Sequence, residues 1–107
     1  MIKIGLLGCG NVGRIIATHA ESIQIRRVLF RSLCHARAYT DFDAFMQEDF
    51  SIVVEAASVD AVRRYAEAVL RSGRDIVVLS VGALADVEFR ERLIEAAREA
   101  GKKIRIP

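Results

Sequence analysis

Gly8, Gly10 and Gly13 stand at the spacing G-x-G-x-x-G, between the apolar run Ile2–Leu7 and a second apolar run that begins at Val12. The chemistry served by this spacing is the holding of a pyrophosphate by main chain instead of side chains. Gly8 permits a tight turn off a strand. Gly10 lets the backbone approach a phosphate where a Cβ would intrude, and Gly13 lets the next helix pack closely on its strand. A helix starting near Asn11, with Val12 in its first turn, aims free N–H groups and the positive end of its dipole at that anion. The motif therefore predicts dinucleotide binding through Gly8, Gly10, Asn11, Val12 and Gly13. The competing reading is a domain that keeps the turn for its own packing and binds nothing.

The remaining reactive side chains offer little catalysis. Glu55 closes the apolar run Ile52–Val54, and a carboxylate at a strand end more often serves as a hydrogen-bonding group than as a catalyst. Ser58 and Ser80 have no paired base, which removes the usual route to a nucleophile. Ser58 reads instead as a helix cap that also contacts a cofactor. His19 falls late on a helix, away from the end where chemistry would occur, and His35 lies in an irregular stretch. Cys9 and Cys34 make neither a disulfide framework nor a zinc spacing. No catalytic residue and no metal ligand is assigned.

The elements that must hold these groups alternate. Strands are expected over 2–7, 25–30, 52–55, 75–79 and 103–106. The first helix, 11–22, turns Val12, Ile15, Ile16 and His19 or Ala20 inward. Asp41 or Asp43 caps a short helix to about 48, with Phe42, Phe45 and Met46 inward. Ser58 caps a helix to about 72 with Val62, Tyr65, Ala66 and Val69 inward, stopped by Gly73. Asp86 caps another to about 100 with Phe89, Leu93, Ile94 and Ala97 inward, stopped by Gly101. This β-α-β alternation specifies an α/β, Rossmann-like, doubly wound and mostly parallel sheet in a single domain. Ligands of such sheets lie beyond the carboxyl ends of the strands. The small-residue segments 8–13, 56–58 and 80–83 all fall there.

Residues 26–37 break the pattern, with four arginines and no acid. The next strand-like run, Ala36–Thr40, leaves only Arg31–His35 for a crossover that ordinarily takes a dozen residues or more. Either Ala36–Thr40 is not a parallel strand, or the crossover helix is missing. Arg31 and Ser32 follow strand two directly, where a doubly wound domain meets the adenosine ribose. A guanidinium and a hydroxyl suit a 2′-phosphate, which favours NADP over NAD; the alternative is that Arg31 is a solvated loop residue.

The bulk composition is consistent with this reading. A chain of 107 residues, 52% hydrophobic, makes one globular domain. The net charge of +2 is spread over helix faces and loops, so no nucleic-acid partner is prompted. No apolar run reaches membrane-spanning length, and the opening run is too short for a signal peptide. A reduced, cytoplasmic setting fits both thiols. Without the crossover helix, apolar surface near strand two is expected to drive formation of homo-oligomers or aggregates.

Three segments carry a family resemblance. The turn Gly8-Cys9-Gly10-Asn11-Val12-Gly13, the segment Val54-Glu55-Ala56-Ala57-Ser58 with its helix, and Leu79-Ser80-Val81-Gly82-Ala83-Leu84-Ala85-Asp86 together resemble the N-terminal domain of L-aspartate dehydrogenases. These are relatives of homoserine dehydrogenase in their nucleotide domain. The resemblance covers 1–30 and about 36–107. It implies that the glycine turn holds the pyrophosphate of NADP or NAD. It places Ala57, Ser58, Ser80, Gly82 and Ala83 along the nicotinamide half. The implied reaction is the reversible oxidative deamination of aspartate to an imine, feeding pyridine nucleotide biosynthesis. Two departures stand out. The family continues past the last strand into a substrate-binding domain with a catalytic histidine, whereas this chain ends at Pro107. It is therefore expected to be an NAD(P)-binding domain, 1–107, inactive alone. The family also has a helix after strand two, preceded in NAD-using members by an acid, where Phe30 and Arg31 stand here. The alternative to a dehydrogenase fragment is a non-catalytic NAD(P)-binding sensor or regulatory module.

Overall fold

The computed structural model describes residues 2–8, 23–29, 38–39 and 42–107. The expected helix over 11–22 lies outside these residues. So do Gly10, Asn11, Val12, Gly13, Arg31 and Ser32, together with both cysteines and both histidines. In chain order the elements are β1 (Ile2–Leu7), β2 (Ile23–Leu29), β3 (Ala38–Tyr39), α1 (Phe42–Met46), β4 (Ile52–Glu55), α2 (Val59–Arg71), β5 (Asp75–Val78), a 3-10 turn (Val81–Ala85), α3 (Val87–Ala100) and β6 (Ile104–Arg105).

All six strands pair in parallel, in the order β3-β2-β1-β4-β5-β6. The chain builds outward from β1 on one side, then returns to β4 and builds outward on the other. The direction reverses between β1 and β4, which makes the carboxyl ends of that pair the topological switch point.

One of the two readings of the stretch after β2 is decided by the strand pairing. The Ala36–Thr40 run does contain a parallel strand, with Val28 opposite Ala38 and Leu29 opposite Tyr39. The start of β3 therefore sits beside the end of β2, about 4.8 Å away at ordinary strand spacing. The connecting residues 30–37 lie outside the described residues.

Helix positions follow from local capping and from apolar stripes. Ser58 has extended backbone, φ −167° and ψ 164°, and its Oγ accepts the Ala61 N–H at 3.0 Å. Asp86 does the same for Phe89 at 3.2 Å, and Gly101, at φ 67°, ends α3 in the left-handed region. On α2, Ala61, Val62, Ala66, Val69 and Leu70 are buried, with Tyr65 half-buried. On α3 the buried stripe is Phe89, Leu93, Ala96 and Ala97. Ile94, expected inward, is 43% exposed, and Ala96 takes the inner position. The small Ala96 and Ala97 are both buried in the core, whereas Ile94 faces outward. Val53, Ile76 and Val78 supply the sheet side of the core. Each such buried aliphatic side chain contributes about 1.5–3 kcal/mol relative to an exposed one. Gly5 has its own packing reason. A Cβ there would stand 2.8 Å from Phe45 Cζ and from the Phe50 ring, so its missing side chain lets both aromatics lie against β1. No helix among the described residues is long and apolar enough to cross a membrane.

Candidate functional site

The switch point is built from main chain. Ala56 N–H donates to Leu7 O at 2.8 Å, extending the contact between β1 and β4 one residue past Glu55. Gly8 follows immediately, with φ +101°. A Cβ at Gly8 would meet Ala57 Cβ at 2.6 Å, Ala57 Cα at 2.7 Å and Ala56 O at 2.8 Å. Gly8 is thus required twice, once for its conformation and once because the 56–57 segment fills the space a side chain would take.

Loops 56–58 and 80–83 meet at the same end of the sheet. A Cβ on Gly82 would lie 3.4 Å from Val59 Cγ2. Ala57, Ser58 and Gly82 are exposed, and Ser80 is half-buried. Beside them Val59 and Val81 keep 41% and 45% of their surface exposed. The outer wall is therefore made of small or apolar side chains and accessible backbone.

Glu55 joins the two loops from beneath. It is the one buried charged residue among those described, at 0% exposure. Its Oε2 accepts the Ala57 N–H at 2.9 Å and the Ser80 Oγ–H at 2.7 Å. Its Oε1 accepts the N–H groups of Leu79 at 3.0 Å and Ser80 at 2.8 Å. A carboxylate offers about four lone-pair sites, and four donors occupy them. Burial of the charge is compensated by charge-assisted bonds. No acceptor position remains for a substrate proton, so this geometry makes Glu55 a hydrogen-bonding hub and not a general base.

The far end of the second loop is also tied. Arg63 Nη2, from α2, reaches Asp86 Oδ2 at 3.1 Å, and its guanidinium lies 5.5 Å from the Phe89 ring centroid. The Phe89 N–H, then Arg63, holds the Asp86 carboxyl below its ordinary pKa.

Of the residues expected along a cofactor, Gly8, Ala57, Ser58, Ser80 and Gly82 gather here. The side chain of Ala83, in the same loop, points away from this surface. It is fully buried in the hydrophobic core, because the 3-10 turn rotates its side chain inward. The hydroxyls of Ser58 and Ser80 are both engaged, the first as a cap and the second on Glu55. Among the described residues no group of three or more His, Cys, Asp or Glu could hold a metal ion. What the described part of the site offers is binding and orientation, without a proton donor or acceptor poised for transfer. Val59 and Val81 were not identified from sequence, where an exposed valine beside a small-residue loop carries no distinguishing pattern. The convergence on Glu55 was equally hidden, since Leu79 and Ser80 lie 24 and 25 residues away.

Comparisons with known proteins point the same way. The profile described as "Homoserine dehydrogenase, NAD binding domain" matches residues 8–107. An L-aspartate dehydrogenase of Methanospirillum hungatei is 51% identical over 116 aligned positions, covering 100% of this chain and 46% of that protein. The L-aspartate dehydrogenase of Archaeoglobus fulgidus is 37% identical, covering 96% of this chain and 44% of the relative. The chain thus spans less than half the length of these curated relatives. Among solved structures, aspartate dehydrogenase from Thermotoga maritima superposes with a TM-score of 0.81 at 24% identity, covering 100% of this chain and 46% of that one. Biliverdin reductase from Synechocystis, solved with biliverdin and NADP+, gives 0.84 at 20% identity, over 98% of this chain and 37% of the other. At these identities the structural likeness concerns the fold.

Proposed function

Because the chain belongs to the family of homoserine dehydrogenase NAD-binding domains, we propose that residues 1–107 are the dinucleotide-binding part of an NAD(P)-dependent L-aspartate dehydrogenase. The observation that carries this reading is the crowding of Gly8 against Ala57 at the switch point, where backbone without side chains is presented beside exposed small residues. That is the kind of cradle a pyrophosphate requires. In this reading Gly8, Gly10 and Gly13, with Asn11 and Val12, take the pyrophosphate. Ala57, Ser58, Ser80 and Gly82 border the nicotinamide half, with Val59 and Val81 giving the ring an apolar edge. Arg31 and Ser32 take a 2′-phosphate and favour NADP. When bound, the dinucleotide supplies the two-electron acceptor for oxidation of the amino acid. The described residues bind it, orient it and shield one side of it from water. Glu55, Ser58 and Ser80 are all engaged in internal hydrogen bonds, so residues 1–107 are expected to bind cofactor without turning over aspartate by themselves.

Calorimetric titration tests the binding. The unmodified chain should take up NADP or NAD, and Gly10→Val, which places a side chain where the pyrophosphate approaches, should abolish it. Equal affinity of the two proteins would refute the glycine-turn assignment. Cofactor choice is read in the same titrations at two salt concentrations. NADP should bind more tightly, with a preference that fades as salt screens the phosphate and disappears in Arg31→Ala. Turnover of aspartate by the purified chain would overturn the expectation of binding without turnover.

A further inference from the structure

We propose that Glu55 is a positioning residue that fixes the spacing between the loops after β4 and β5, and through them the seat of the nicotinamide half of the cofactor. The inference rests on the proposed dinucleotide function. Its basis is the division of labour between the two carboxylate oxygens. Oε1 is bonded only to the β5 side, through Leu79 N–H and Ser80 N–H. Oε2 bridges the gap, taking Ala57 N–H from one loop and the Ser80 hydroxyl from the other. Glu55 is completely buried. The outer faces of the same loops, at Ala57, Ser58 and Gly82, are exposed. One carboxylate therefore holds two exposed segments from behind without occupying the surface they present.

The substitution Glu55→Gln separates this role from simple core filling, since it preserves shape and volume. The carboxamide has one acceptor and one donor end. If its NH2 faced β5, it would oppose two fixed N–H donors. Its lower-cost orientation keeps the oxygen on Leu79 and Ser80 and turns the NH2 toward Ala57 N–H and the Ser80 hydroxyl. The hydroxyl can rotate to accept, but the Ala57 N–H cannot. The variant should thus release the 56–58 loop while the β5 side stays bonded.

The test uses the whole 107-residue chain and two probes. One is the reduced dinucleotide, NADH or NADPH, whichever binds more tightly. The other is its nicotinamide-free fragment, ADP-ribose or 2′-phospho-ADP-ribose. For the unmodified chain, the intact dinucleotide should bind more tightly than the fragment, with enhanced nicotinamide fluorescence. In Glu55→Gln the fragment should bind as before, while affinity for the intact dinucleotide falls about tenfold and the fluorescence enhancement is lost. Unchanged affinity and fluorescence in a folded variant would overturn the proposal. So would an equal loss for both probes, which would signify a general structural role. Should the unmodified chain bind neither probe, the dinucleotide reading itself fails and this inference falls with it. If the glutamine variant shows no cooperative melt, Glu55→Asp is read by the same criteria. It keeps the charge but draws the carboxylate back by one methylene, out of reach of one loop.

Discussion

The two ends of the sheet use opposite charges for related tasks. At the amino ends of β4 and β5, Arg74 Nη2 donates to Met46 O at 2.8 Å and Glu48 O at 3.0 Å, while its Nε donates to Phe50 O at 3.0 Å. Its guanidinium stacks 4.4 Å from the centroid of Phe50. Partial burial lowers its pKa, with Asp49 acting in the opposite direction, yet a guanidinium remains charged at neutral pH. At the carboxyl ends, Glu55 gathers N–H groups where Arg74 gathers carbonyls. The difference lies in what is left outside. Arg74 and Phe50 cover their loop and seal that end. Glu55 lies wholly beneath its loops, leaving their outer surfaces open. A closed end and a presenting end can thus arise from the same device, a charged side chain satisfied by main chain.

Breaking the presenting end should have the larger effect. Gly8→Ala combines a positive-φ conformation with a 2.6 Å contact, and should destabilise the chain by about 3 kcal/mol or more, read from denaturant midpoints. A loss below about 1 kcal/mol would show that the 56–57 segment yields easily, and that this end is not held as described. At the sealed end, Arg74→Ala removes three charge-assisted bonds to carbonyls and a stacked ring, and should cost about 2–3 kcal/mol. Its cofactor affinity should match that of the unmodified chain at temperatures where both are folded. A parallel loss of affinity would mean that the two ends are not independent.

Ser58→Ala sharpens the comparison by testing a local contact at the presenting end. Loss of the bond to Ala61 N–H should cost about 1 kcal/mol, with α2 retained by circular dichroism. The smallest effect is expected at Asp86. Its folded pKa lies below the ordinary carboxyl value, so its ionised form stabilises the fold at pH values above about 4. That contribution is lost as pH falls through the folded pKa. Asp86→Asn keeps an acceptor for the cap but has no charge for Arg63. Thermal melts should show a modest advantage for Asp86 at pH 7 that shrinks below about pH 4. A gap independent of pH would exclude the charge as its source.

How much was legible depended on the range of the interaction. Ser58, Asp86 and Gly101 were recognisable because each cap acts within a few residues of itself. The alternating strands and helices were legible from apolar runs and glycine stops, and they led to the parallel sheet. The Ile94 expectation failed because helical periodicity alone does not decide between neighbouring positions; the buried stripe of α3 runs through Leu93, Ala96 and Ala97 and leaves Ile94 outside. Ala83 looked like loop and became core because a 3-10 turn redirects it. Arg74 carries no sequence mark at all. Its three carbonyl partners lie 24 to 28 residues upstream, and nothing local distinguishes it from a solvated loop arginine. The glycine turn beyond Gly8 and the Arg31–Ser32 pair lie outside the described residues, so their expected roles rest on the titrations proposed above.

The two faults awaiting any side chain at position 8 also bear on how this position tolerates variation. The clash is with Ala57 and the 56 carbonyl, whereas the φ of +101° belongs to residue 8 itself. A second-site change such as Ala57→Gly would remove one obstacle and leave the other. In a saturation library screened for folded chains, position 8 should therefore return glycine even when a compensating library is supplied at 57. Position 82, where a Cβ would make an ordinary contact with Val59 Cγ2 at 3.4 Å, should admit alanine in the same screen. Two glycines bordering one crevice thus differ in mutational robustness, one fixed by its own backbone and the other free to drift.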